Sequence, residues 1–158
     1  MNVAIYSRVS SIDQNVQQQS KYLRNWCKSQ GYTVVESVLD TESGTLPLRH
    51  RKKFRKLLNP KNKYRAIVVY NLDRLTRNWY DENFIEQMFF DNWSDLQLIS
   101  TCEPIDLSTA SGRMMFRMKL VVSCFMPEDM KEKQKIGISR AKKEGKYKGR
   151  KKGSKNKK

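Results

Sequence analysis

Val3-Ala4-Ile5-Tyr6-Ser7-Arg8-Val9-Ser10-Ser11-Ile12-Asp13-Gln14 is the stretch on which the reading of the chain turns. Its first four residues are a short apolar run and predict a buried strand. Residues 10–14 predict a turn and the first residues of a helix. Arg8 puts a planar, permanently charged donor at the mouth of that strand, which suits a phosphate. Two residues on, Ser10 offers a hydroxyl in a position fit for a nucleophile. Helix capping competes with that reading, because serine is a leading N-cap residue and either Ser10 or Ser11 can serve. Local chemistry leaves both readings open.

Outward from this stretch, helices and strands alternate. Residues 14–30 have helical spacing, with Val16, Tyr22, Leu23, Trp26 and Cys27 on one face and Gly31 placed to close the helix. Residues 32–40 are rich in β-branched side chains and predict a strand. Gly44 and Pro47 mark a loop, after which Phe54, Leu57 and Leu58 begin a helix that ends near Asn59-Pro60. Residues 65–70 are a continuous apolar run, as expected for a strand covered on both faces. Asn71-Leu72-Asp73-Arg74-Leu75-Thr76-Arg77-Asn78 follows, then a helix over residues 80–92 and a strand over 96–101. The alternation predicts an α/β fold with a mostly parallel sheet flanked by helices. Sites in such sheets lie at the carboxyl ends of strands, where Ser10 and residues 73–77 both fall.

A long helix is expected from Thr109, capped by Thr109 or Ser111. Met114, Met118, Val121, Val122 and Phe125 recur along it at helical spacing and predict a core or oligomer seam. The pattern carries past Ile138 to about Lys143.

A length of 158 residues fits one domain with an extension. Residues 131–158 hold 14 Lys or Arg against two acids, or +12 of the formal +16. A basic tail on a near-neutral body implies a polyanionic partner, with nucleic acid ahead of an anionic membrane. Candidate DNA contacts are Arg140, Lys142, Lys143, Lys146, Lys148, Arg150, Lys151 and Lys152. No apolar run reaches membrane-spanning length and no signal pattern opens the chain, so a cytoplasmic, DNA-associated location is expected. Cys27, Cys102 and Cys124 are far apart and form no CxxC pair, which fits reduced thiols. His50 is the one histidine, and no metal or cofactor is expected.

The pattern of Tyr6, Arg8, Val9, Ser10, Ser11 and Gln14 resembles the signature of the serine recombinases, the resolvase and invertase family. The resemblance implies that Ser10 attacks a DNA phosphodiester, forms a phosphoserine link and releases a 3′-hydroxyl without metal or nucleotide. Leu72-Asp73-Arg74-Leu75-Thr76-Arg77 resembles the family's second hallmark, which implies that Arg74 and Arg77 grip the scissile phosphate while Asp73 orients them. Ser43-Gly44 and the Phe-x-x-Leu-Leu that follows also fit. Anchoring on Phe54, Leu57 and Leu58 puts the family's active arginine at Arg51, whereas counting forward from Gly44 puts it at Arg49. Arg8 joins the same cluster, with Tyr6, Gln14, Gln19 and Ser43 in supporting places.

By the same resemblance, residues 1–107 form a resolvase-like catalytic domain. Residues 108–144 form a long helix for oligomerisation and DNA contact, and residues 145–158 form a basic flexible tail. The partners implied are double-stranded DNA and further copies of the chain, a homodimer assembling to a synaptic tetramer. The setting implied is the host cell of a mobile element or virus. Two departures stand out. After Phe125 the family reads Phe-Glu-Arg-Glu, where this chain has Phe125-Met126-Pro127-Glu128, so the helix is expected to kink or restart near Pro127. The resemblance also ends at a linker-like Gly149-Arg150-Lys151-Lys152-Gly153-Ser154-Lys155, with no helix-turn-helix after it. A separate DNA-targeting protein is left open as a partner. So is the alternative function, a non-catalytic accessory relic.

Overall fold

The computed structural model describes residues 1–8, 15–89, 95–103, 105–107 and 109–146, with backbone alone at 15, 16, 127 and 128. Four strands form one sheet: β1 (Asn2–Arg8), β2 (Thr33–Asp40), β3 (Ala66–Val69) and β4 (Gln97–Ser100), in the order β2-β1-β3-β4. Every pairing is parallel, with Ile5 opposite both Ser37 and Val68, and Val68 opposite Ile99. The expected α/β class and parallel sheet are therefore those observed.

The two faces of β1 divide the core. Val3 and Ile5 pack with Leu23 and Cys27 of α1 (Asn15–Ser29) and with Ala66 and Val68. Ala4 and Tyr6 face the other way, into a larger cluster with Phe54, Leu57, Leu75, Ile85, Phe116 and Leu120. Cover on both faces explains why β1 and β3 are apolar without alternation, whereas edge strand β2 alternates exposed with partly buried residues. Gly31 takes φ +70° and closes α1, where the Tyr32 N–H reaches the Cys27 carbonyl at 2.8 Å. Tyr22, expected on the buried face of α1, lies at its rim, exposed and edge-on to Tyr70.

The remaining helices are α2 (Lys52–Leu57), the single turn α3 (Leu72–Leu75), α4 (Asp81–Phe89) and α5 (Ala110–Lys143). Thr109 caps α5 by accepting the Gly112 N–H at 3.0 Å. A Cβ on Gly112 would lie 1.7 Å from the Asp106 carbonyl oxygen, so only glycine fits there. The α5 stripe is not core of this chain: Met114, Met118, Val121, Val122 and Phe125 are all exposed. Gly112, Phe116 and Leu120 make the buried face instead. Helical backbone continues through residue 127 without a restart. The chain divides into two compact units, Met1–Cys124 and Phe125–Lys158. No helix among the described residues is long and apolar enough to cross a membrane.

Candidate active site

The strand order reverses between β1 and β3, and in parallel sheets the crevice at such a point is where ligands bind. Arg8 ends β1 there, and α3 follows β3 there. A one-turn helix cannot hold itself together, since nucleation fixes several dihedrals for one hydrogen bond. Two buried arginines grip the carbonyl end of this one. Arg8, 2% exposed, donates from Nε to the Arg74 carbonyl at 3.1 Å and from Nη2 to the Asp73 carbonyl at 3.4 Å. Its Nη1 reaches the Glu42 carbonyl at 3.4 Å. Gly44 lies against the same guanidinium, and a Cβ there would approach Nη2 to 2.8 Å.

Arg51 is fully buried. It precedes α2 as its N-cap and points back into the domain. Its donors reach the carbonyls of Leu75 (2.5 Å), Gly44 (2.9 Å) and Leu46 (2.7 and 2.9 Å), and the Tyr6 hydroxyl (3.3 Å). Tyr6 in turn donates to Asp40 Oδ2 at 2.9 Å. Burial pushes the Tyr6 phenol up, against the pull of the Arg51 hydrogen bond and charge, so Tyr6 is a neutral donor. The Arg8 guanidinium is pulled down, first by burial, then by Arg51 and Arg77 nearby. Arginine starts so high that Arg8 remains a cation.

With the donors of Arg8 and Arg51 spent on carbonyls, the cations that remain beside them are Arg74 and Arg77, both partly exposed. Arg77 is about one-third exposed and pairs with Asp73 at 3.0 Å. Its N–H is fixed by the Gly44 carbonyl at 2.9 Å. Arg74 Nε is buried and has no hydrogen-bond partner among the described residues. A buried unpaired donor on a cation is costly and fits a group awaiting an anion.

The structure thus brings together Tyr6, Arg8, Arg51, Asp73, Arg74 and Arg77. Of the two arginines left open, Arg51 enters the cluster and Arg49 is exposed outside it. Ser43 is exposed and shares a hydrogen bond with the Thr45 hydroxyl at 2.9 Å. Gln19, on α1, has a buried Oε1 without a partner among the described residues. Ser10 and Gln14, with Val9 and Ser11, lie outside the described residues. So do Lys148, Arg150, Lys151 and Lys152; Arg140 and Lys146 pair with Glu144, and Lys142 and Lys143 are exposed.

Two acids went unread in the sequence. Asp40 holds Tyr6, as above. Asp81, 1% exposed, accepts the Leu48 N–H at 2.9 Å and the Thr76 hydroxyl at 2.5 Å, tying the loop before α2 to the arginine segment. The available signal was their position, Asp40 closing a strand and Asp81 opening a helix.

Arg51→Met keeps much of the volume, takes the Arg51 donors from the Leu75 and Leu46 carbonyls, and leaves the Gly44 carbonyl with the Arg77 N–H alone. Orphaned buried acceptors cost about 1–3 kcal/mol each, so a loss on the order of 3–5 kcal/mol is expected. For a unit of this size the melting temperature should fall by on the order of 10–20 °C, measured by thermal and urea unfolding.

Residues 3–147 match the family model described as the resolvase N-terminal domain. The integrase-like protein y4lS of Sinorhizobium fredii is 30% identical over 145 residues, covering 92% of this chain and 74% of the relative. The transposon Tn2501 resolvase of Escherichia coli is 30% identical over 152 residues, covering 94% and 75%. Among solved structures, the N-terminal catalytic domain of TP901-1 integrase superposes with TM-score 0.61 at 28% identity, covering 84% of this chain and 98% of that one. The C-terminal catalytic domain of ISC1926 TnpA, an IS607-like serine recombinase, gives TM-score 0.52 at 26% identity, covering 78% and 82%. Since the family model spans nearly the whole chain, from the first strand to the end of the long helix, the chain belongs to the resolvase family of serine recombinases.

Proposed function

We propose that the protein cleaves and rejoins double-stranded DNA at specific sites through a covalent phosphoserine intermediate on Ser10. The observation that carries this reading is the set of arginines gathered around α3, two buried and pinning it, and two, Arg74 and Arg77, partly exposed on the same segment. A phosphodiester under attack gathers negative charge on its nonbridging oxygens, and preorganised cations stabilise that charge. Arg74 and Arg77 take that role, Asp73 orients Arg77, and Arg8 and Arg51 hold the segment in place. Stabilisation by guanidinium groups needs no metal, so cleavage is expected to proceed in EDTA.

Charge distribution supports DNA as substrate. Residues 1–130 carry 18 Lys or Arg and 14 acids, a net +4. Six of those cations and no acid fall within residues 49–56, leaving about −2 for the rest. Arg49, Lys52, Lys53, Arg55 and Lys56 are exposed, beside the loop that Arg51 pins. The uncovered apolar side chains Met114, Met118, Val121 and Val122 support assembly through α5, as a homodimer that builds a synaptic tetramer.

The decisive experiment incubates the protein with end-labelled duplex and resolves the products on a denaturing gel. A protein–DNA adduct at one end of the break is expected; its absence, with DNA binding retained, would leave the accessory relic. The basic tail should add affinity without base reading. If roughly 5–8 cations meet phosphates, log affinity falls against log salt with a slope of about −4 to −7. Deleting residues 146–158 should flatten that slope and weaken all sequences alike, as measured by binding titrations at several salt concentrations. An unchanged slope would make the tail a solvated charge run.

A further inference from the structure

The carbonyl end of α3 is held by Arg8 and Arg51, but its N-terminal end has no local cap. Asn71 stands at the N-cap position, yet its side chain makes no capping bond, and its Oδ1 is buried without a partner among the described residues. The cap comes from far along the chain. Glu103 Oε2 accepts the Leu72 N–H at 3.0 Å and the Ser100 hydroxyl at 3.2 Å. Its other oxygen, Oε1, meets Lys119 Nζ of α5 at 2.6 Å. The Glu103 side chain is 13% exposed, so this carboxylate works largely out of water, where charge-assisted hydrogen bonds are stronger.

One carboxylate therefore spans two elements. On one side is the first N–H of the turn that carries Asp73 and Arg74. On the other is α5, one residue beyond the exposed Met118. We propose that Glu103 is a positioning residue: it ties α3 to α5, so that the seating of α5 sets the placement of Arg74 and Arg77 on the scissile phosphate. Small displacements of gripping groups are costly in phosphoryl transfer, because alignment supplies much of the rate. A shift of α5 relative to β4 either carries Glu103 along, and α3 with it, or breaks the Lys119 pair. The proposal rests on the recombinase reading for its activity, but the tie itself does not.

Three variants of the full chain separate the parts. Glu103→Ala removes the cap and the tie. Glu103→Gln keeps an acceptor for the Leu72 N–H and loses the charge opposite Lys119. Lys119→Met removes the α5 anchor alone. At saturating DNA, the single-turnover rate of adduct formation should fall about tenfold in Glu103→Ala, the effect of one charge-assisted hydrogen bond. Glu103→Gln and Lys119→Met should each lose about threefold, and together no more than either alone. DNA affinity should stay at the wild-type value in all of them. Hydrogen exchange at the Leu72 amide supplies a readout that needs no activity; it should quicken in Glu103→Ala and Lys119→Met. Equal rates in Glu103→Ala and wild type, additive losses in the double variant, or unchanged Leu72 exchange would each overturn the proposal. If Glu103→Ala does not fold, the Gln and Met variants and their combination decide it. A wild-type chain that forms no adduct would fail the recombinase reading, and Leu72 exchange would still settle the tie.

Discussion

Ser10→Ala is expected to abolish the protein–DNA adduct while DNA affinity stays near wild type. In the sequence Ser10 follows the last residue of β1 by two positions, and that last residue, Arg8, is buried and bonded to the carbonyls of residues 73 and 74. Removing the nucleophile of a covalent mechanism costs on the order of 10⁵–10⁶ in the chemical step, which puts the product below detection on a labelled gel. Tyr6 does not take over. Its hydroxyl is buried, bonded to Asp40 and Arg51, and its phenol is pushed up by burial, so its phenolate is scarce at neutral pH. Tyr6→Phe should therefore keep the adduct at reduced stability, and Ser11→Ala should keep it in full. An adduct that survives in Ser10→Ala but is lost in Ser11→Ala or Tyr6→Phe would move the nucleophile elsewhere.

The α/β plan was legible because each signal was local. Apolar runs over β1 and β3 record cover on both faces, and the alternation in β2 records an edge. Gly31 announced the end of α1 because only a residue at ease with φ +70° ends a helix in that way. Periodicity along α5 said which residues share a face, but not which face this chain covers. Phe116 and Leu120 turned out to be core and the Met114–Met118–Val122 face uncovered, since a spacing of four residues fits either stripe equally well. At the site, residue types were legible and their hydrogen-bond partners were not. Arg8 read as suited to phosphate from its chemistry and Arg51 as the active arginine from the family resemblance; their bonds to carbonyls up to 66 residues away left no mark in the sequence. Asp81 and Glu103 carried no reading, because a carboxylate that caps a distant N–H leaves no mark in its own neighbourhood.

Arg74→Lys and Arg77→Lys should each slow adduct formation by about 10²–10³, although both retain the charge. A contact that forms with the developing charge of a transition state has this magnitude when one donor is removed. Lysine offers a compact ammonium on a flexible stem, whereas the guanidinium fork is planar and binds two oxygens at once. For Arg77, the fork also allows one arm to stay on Asp73 at 3.0 Å while the rest of the group meets phosphate; an ammonium would have to choose. For Arg74, the buried and unpartnered Nε has no counterpart in lysine at that position along the side chain. Among the described residues neither side chain donates to a backbone carbonyl, so the melting temperature should stay within about 3 °C of wild type, unlike the large fall expected for Arg51→Met. That contrast separates a phosphate-gripping arginine from a structural one by two measurements on the same variants. Lysine variants that cleave at the wild-type rate would make residues 74 and 77 ordinary charges, and the Arg74–Arg77 half of the cluster would lose its assigned role.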